Sequence, residues 1–72
     1  MYTAGMGVER LGSRLKKARQ QLGLSQEELA QHAGLSRIYV AKLEAGERRA
    51  PSLDALERLA KALRVKLVEL IK

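Results

Sequence analysis

The chain has 72 residues and no cysteine, so we expect a single domain without disulfides or a cysteine-ligated zinc site. It carries 14 Lys and Arg against 8 Asp and Glu, a net charge of +6, which favours an anionic partner without identifying it. The sequence lacks both a signal-peptide pattern and an apolar stretch of membrane-spanning length, so we expect a soluble cytoplasmic protein that does not bind a membrane.

The first predicted element is an amphipathic helix that follows a flexible arm, residues 1–7. Gly23 is typical of the left-handed residue that ends a helix. Apolar residues at spacings of three and four place one face of this helix inward. They are Val8, Leu11, Leu15, Ala18 and Leu22.

A second, short helix begins directly afterwards. Ser25 and Glu28 have the spacing of a capping box, in which each side chain satisfies a free backbone N–H group of the other. Gly34 ends this helix within two turns. The next helix therefore follows after a tight turn.

The third helix is predicted to begin after the cap residue Ser36 and to end near Gly46. Val40 and Leu43 point inward. The remaining side chains lie on other faces of the helix: Arg37, Ile38, Tyr39, Ala41 and Lys42.

Ser52 is the predicted cap of a fourth helix, whose inner stripe consists of Leu53, Leu56, Leu59, Ala60 and Leu63. The tail, residues 65–72, contains enough β-branched residues that its pattern alone is also compatible with a strand. We expect a fifth helix, because a lone strand would leave its backbone donors unpaired. The elements together predict an all-α domain over residues 8–72.

Residues 26–44 have the arrangement of a helix-turn-helix, in which the second helix of the pair enters the major groove of DNA. This spacing alone is weak, since many helical hairpins share it. More specific are five segments that agree in order and spacing: residues 24–30, 33–37, 43–46, 51–53 and 59–63.

These segments closely resemble the Cro/C1-type (Xre-like) helix-turn-helix family, and the resemblance covers residues 8 to 71. It implies a compact five-helix, lambda-repressor-like domain and a sequence-specific transcriptional regulator of double-stranded DNA. Phage repressors and restriction–modification controllers are similarly short members. We predict no cofactor, metal or small-molecule ligand, and we expect the one histidine, His32, to be a surface residue.

The resemblance implies base-facing positions at Arg37, Ile38, Ala41 and Lys42. The two cations can donate to guanine, and Ile38 offers apolar contact such as a thymine methyl group. Ala41 departs from the polar residue common in relatives, so this position is either silent or permits close approach. Other residues match positions that contact the DNA backbone: Gln26, Ser36, Tyr39, Arg48 and Arg49. Without the motif, these charges would indicate only a solvated helix face and a polar loop.

Arg19 and Glu44 match an ion pair of the family that fastens the third helix to the first. We therefore expect these two side chains to meet. Residues 1–7 are left with two interpretations, an arm in the minor groove or a segment in solvent.

The apolar tail residues Leu67, Val68, Leu70 and Ile71 point in too many directions for all of them to be buried in one small core. Family members commonly bind palindromic sites as two-fold dimers, so we expect a homodimer through the last helix. The alternatives are that this surface is core plus solvent, or that the natural chain continues beyond Lys72.

The rival function is an antitoxin-type interaction module that grips a partner protein through the apolar C-terminal helix. A nonspecific architectural DNA binder is disfavoured, because the sequence lacks intercalating wedges. We predict no enzymatic activity, since the carboxylates of Glu28 and Glu44 have structural roles and Glu27 is exposed.

Overall fold

The computed structural model describes residues 6–48 and 51–71. Over these ranges the chain forms five helices and no strand. They are α1 (Met6–Gln21), α2 (Gln26–Ala33), α3 (Arg37–Glu44), α4 (Leu53–Leu63) and α5 (Leu67–Ile71). The all-α fold and the fifth helix are thus confirmed. Helix α1 begins within the expected arm, and residues 1–5 of that arm lie outside the described residues.

Serine side chains begin three of the helices as expected. The Ser25 hydroxyl accepts a hydrogen bond from the Glu28 amide at 3.0 Å, and the Glu28 carboxylate accepts one from the Ser25 amide at 2.8 Å. The hydroxyls of Ser36 and Ser52 each accept from the backbone N–H three residues later, both at 3.0 Å. These bonds satisfy N–H groups that have no partner within the helix.

Two of the helices end at a residue in the left-handed conformation, one of them a glycine and the other an arginine. Gly34 ends α2 with φ 71°, as its lack of a Cβ atom allows. Helix α4 ends in the same conformation at Arg64, with φ 60°. Arg64 is the one non-glycine residue with positive φ among the described residues. This conformation costs an L-amino acid about 1–2 kcal/mol.

Helix α2 packs against α3 and α4, while α1 packs against α3 and α5. The side chains that meet between these helices are almost all aliphatic, as expected for a chain with no Phe or Trp. The largest fully buried ones are Leu15, Leu29, Val40, Leu43, Leu59, Leu63 and Leu70.

Two leucines assigned to inner faces are exposed, and both assignments were wrong. Leu22 is 43% exposed because α1 ends at Gln21, one residue earlier. Leu53 is 61% exposed and Ala55 is buried in its place. Leu53 lies about 120° around the helix axis from the fully buried Leu59, on the first turn, so it falls at the edge of the packed face.

Candidate nucleic-acid interface

Helix α3 divides into a buried face and an exposed face. Val40 and Leu43 are 0% and 1% exposed and fix the helix in the core. The four expected base-facing residues line one shallow concavity on the opposite side: Arg37, Ile38, Ala41 and Lys42. Ile38 is 60% exposed, although it is a large aliphatic residue. The structure therefore brings these four positions together on one surface, with cations beside apolar groups.

The predicted ion pair between Arg19 and Glu44 is present. Arg19 Nε lies 2.6 Å from Glu44 Oε2, and Arg19 Nη2 donates to Oε1 at 3.0 Å. A third guanidinium N–H donates to the Leu24 carbonyl at 2.8 Å. The hydrogen bond with Glu44 raises the pKa of Arg19 above its ordinary value, although burial acts to lower it. The end of α3 is thus held by a two-point, charge-assisted contact to α1.

Gln26 joins the same carboxylate from α2. Its amide nitrogen Nε2 donates to Glu44 Oε1 at 3.1 Å, so α1, α2 and α3 meet at Glu44. One N–H group of the Gln26 amide is engaged there, which leaves its other N–H group and its oxygen for an outside partner. Ser36 lies exposed at the start of α3, and its hydroxyl proton is likewise free to be donated after the oxygen has accepted from the backbone.

The loop after α3 is attached to the helix by a contact that the sequence did not reveal. The Arg48 guanidinium carbon lies 4.5 Å from the centre of the Tyr39 ring, a cation–π distance. The backbone N–H groups of Glu47 and Arg48 also donate to the Lys42 carbonyl. Arg48 is therefore held beside α3, whereas Arg49 lies outside the described residues.

Gly12 was also missed by sequence reasoning. A Cβ atom at this position would lie 2.5 Å from the Leu43 carbonyl oxygen and 2.8 Å from that of Glu44. The backbones of α1 and α3 therefore approach more closely than any side chain at residue 12 would permit. The available signal was a glycine inside a helical pattern, a position where glycine costs stability unless packing requires it.

The four expected dimer residues on α5 are not equivalent. Leu70 is 2% exposed and belongs to the core, so its assignment to an interface was wrong. It fills the space between α5 and its neighbours within one chain. Leu67 is partly buried against the same core. Val68 and Ile71 are 51% and 55% exposed and lie three residues apart, hence on one side of the helix.

Three further observations concern metal ligands, the histidine and membrane-spanning helices in the described ranges. No cluster of three or more His, Cys, Asp and Glu side chains there is placed to hold a metal ion. His32 is exposed, as expected. None of the helices in residues 6–48 and 51–71 has the length and apolar character needed to cross a membrane.

Helix α2, its tight turn and a rigidly held α3 with an exposed cationic and apolar face define a helix-turn-helix DNA-binding domain. Sequence comparison agrees, because residues 15–70 match the profile of the helix-turn-helix family. The chain belongs to this family and is a transcriptional regulator with a helix-turn-helix DNA-binding fold. The resemblance to Cro/C1-type proteins is confirmed.

A HTH-type transcriptional regulator of Sinorhizobium fredii, itself uncharacterised, is 43% identical over 61 residues, which are 85% of this chain and 78% of that protein. The restriction-modification controller protein C.AhdI from Aeromonas hydrophila has a crystal structure with TM-score 0.83 and 43% identity, covering 88% of this chain and 94% of that one. The biofilm regulator SinR, solved in complex with DNA, has TM-score 0.83 and 32% identity over 86% of this chain and 98% of that one. Three other curated relatives are longer, and the chain spans 38% to 42% of their length.

Proposed function

We propose that this regulator binds a specific palindromic DNA operator as a homodimer and inserts α3 of each subunit into the major groove. The observation that carries the proposal is the outer face of α3. Arg37, Ile38 and Lys42 are exposed there, while the helix is fixed from behind by buried leucine and valine side chains and by the Glu44 contacts. A helix that is already rigid can bind base edges without losing further conformational entropy.

The residues of this face divide into two roles. Arg37 and Lys42 donate to guanine O6 and N7, and Ile38 contacts a thymine methyl group. Ala41, half-buried between them, permits close approach to the bases. The DNA backbone is contacted by a surrounding set: Gln26, Ser36, Tyr39, Arg48 and Arg49. Such contacts fix the position of the helix without reading sequence.

The dimer is proposed to form through Val68 and Ile71, the two exposed apolar side chains of α5. A two-fold interface uses the same patch on both subunits, so two adjacent apolar residues per chain become four in the dimer. Two recognition helices would then face half-sites about 34 Å apart, one turn of DNA. Regulation follows from occupancy of the operator, and it involves no catalytic step.

The test begins with selection of bound sequences from a random duplex library. The affinity for the selected duplex and for scrambled DNA is then measured across a salt series. We expect a palindrome bound at least about a thousandfold more tightly than scrambled DNA. Arg37→Ala should relax the base preference at one position of the site. Arg48→Ala should lower the affinity for all sequences and make that affinity depend less on salt. Lys61→Ala, an equal charge change on α4, should leave base preference, affinity and salt dependence unchanged.

Sedimentation at tens of micromolar tests the dimer separately. We expect a dimer for the wild type and, for Val68→Asp, a monomer that keeps the helical circular dichroism of the wild type, because this side chain is half exposed in the single chain. Its melting temperature should lose the concentration dependence that a dimer shows. If the wild type is monomeric and selects a non-palindromic site, the proposed dimer is wrong, but sequence-specific binding of DNA by α3 is retained. Failure to enrich any sequence would overturn the operator proposal and favour a module that uses the same α5 surface to bind a partner protein.

A further inference from the structure

A second surface of the domain remains without a role. An open groove of about 760 Å³ lies between the end of α1, the C-terminal half of α2 and α4. We call it the α2–α4 groove, and its walls include Leu22, His32, Arg58, Lys61 and Arg64. None of its lining residues belongs to the concavity on α3. DNA reading by α3 therefore does not account for it.

The charge of the α2–α4 groove has one sign. Arg58, Lys61 and Arg64 line it, and no acidic residue does. Arg58 pairs with Asp54 at 3.0 Å, but both side chains are largely exposed, so the pair is screened by solvent. The Arg58 guanidinium also lies against the end of α2, where Nη1 would be 3.0 Å from a Cβ atom at Gly34.

The groove also has an apolar wall. Leu22 is 43% exposed and Leu24 is half-buried beside it. An exposed leucine next to three cations can bury its apolar surface only against a ligand that carries apolar groups. The phosphate backbone of DNA offers charge but little apolar surface, so this combination fits a polypeptide better than nucleic acid.

Arg64 supplies an independent observation. It occupies the left-handed position at the end of α4, with φ 60°, where glycine would be free of strain. Non-glycine residues in this conformation are concentrated at functional sites. Here the side chain contributes a cation to the rim of the groove.

We propose that the α2–α4 groove docks an acidic segment of a partner protein, with carboxylates facing Arg58, Lys61 and Arg64 and an apolar side chain against Leu22. Charge complementarity selects such a segment and speeds its association. Because the groove and the α3 face share no residue, the partner and DNA can be bound at once. The proposal does not depend on which operator the protein reads.

The test uses a library of random 15-residue peptides displayed on phage. Peptides are selected for binding to the wild-type protein, and those that also bind the Lys61→Glu variant are discarded. The peptide with the highest affinity is then synthesised and titrated. We expect peptides that combine several Asp or Glu with leucine-like side chains, and an affinity that falls with salt. Lys61→Glu should weaken binding at least about tenfold, because it places like charges together. Leu22→Ser should weaken it as well.

Arg64→Gly separates function from folding. It should weaken peptide binding about threefold to fivefold through the loss of one rim charge. It should also raise the melting temperature by about 2–5 °C, because relief of the left-handed strain exceeds the extra backbone entropy that glycine loses on folding. Arg37→Ala is the matched control on α3 and should leave peptide affinity unchanged.

Three results would overturn the proposal. One is a selection that yields no peptide, or peptides without acidic residues. The second is a selected peptide whose binding is unaffected by the groove variants but lost with Val68→Asp, which would assign docking to α5. The third is that Lys61→Glu and Arg64→Gly lower the affinity for scrambled DNA as much as the affinity for the peptide. The groove would then be a contact for DNA phosphates.

Discussion

Replacing Arg19 by methionine would leave the Glu44 carboxylate, whose side chain is 3% exposed, with the Gln26 amide as its remaining side-chain partner. The Leu24 carbonyl would also lose the donor that now lies 2.8 Å away. Methionine fills much of the volume of the arginine stem, so the change isolates the loss of charge and hydrogen bonds. We therefore expect a large loss of stability without a large cavity.

The magnitude follows from burial. Removing one partner of a buried ion pair costs about 3–5 kcal/mol, because the other charge is left uncompensated. A chain of 72 residues has a total stability of about 4–11 kcal/mol at 0.05–0.15 kcal/mol per residue. Arg19→Met should therefore lower the melting temperature by at least about 12 °C.

Thermal unfolding followed by circular dichroism provides the assay, with Arg58→Met as the matched control. Arg58 also pairs with a carboxylate, at 3.0 Å, but its side chain is 51% exposed and that of Asp54 is 73% exposed. The control should change stability by less than about 1 kcal/mol. The comparison thus holds the substitution constant, while the two pairs differ in burial and in the number of hydrogen bonds that the arginine donates.

The double variant Arg19→Met, Glu44→Leu completes the cycle. Because it removes both buried charges, it should be more stable than the sum of the single changes allows. A melting temperature of Arg19→Met within about 2 °C of the wild type, or strictly additive single changes, would show that the Glu44 charge is not left uncompensated.

Gly12→Ala should destabilise the chain by about 1–3 kcal/mol in a denaturant titration, despite the higher helix propensity of alanine, because the new Cβ atom meets backbone oxygens of α3; an equally stable variant would contradict this. Hydrogen bonds from Ser25 lower the pKa of Glu28 below its ordinary value of 4.5, so this group stabilises the fold above that pH and the contribution is lost as the pH falls below it. The melting temperature should therefore fall less between pH 7 and pH 3 for Glu28→Gln than for the wild type. An equal fall in both proteins would contradict this prediction. Leu53→Gln should change stability by less than about 0.5 kcal/mol, whereas Leu59→Ala should cost about 2–5 kcal/mol.

Local signals in the sequence determined most of the secondary structure. The capping box of Ser25 and Glu28 and the left-handed Gly34 set the bounds of α2. Such signals act between residues at most four positions apart, so they are complete within the sequence. Family resemblance extended them to the contact between Arg19 and Glu44, which are 25 residues apart and which no spacing rule connects.

Tertiary packing fixed which apolar residues face inward. The periodicity placed Leu53 inside and left Leu70 available to a partner, and both assignments were wrong. Helical periodicity defines a face, but burial depends on whether another helix covers that face at that turn. The same limit applies to the first and last turns of any short helix.

The sequence alone was enough to predict the five helices, the serine caps of α2, α3 and α4, and the side chains on the outer face of α3, but not the cap of α4 at Arg64. The tertiary structure decided the close approach of α1 and α3 at Gly12, the packing of Arg48 on Tyr39 and the basic α2–α4 groove. These features join residues that are distant along the chain. They arise only when packing of the helices fixes relative positions, because hydrophobic burial is non-directional and does not encode those positions in any local pattern.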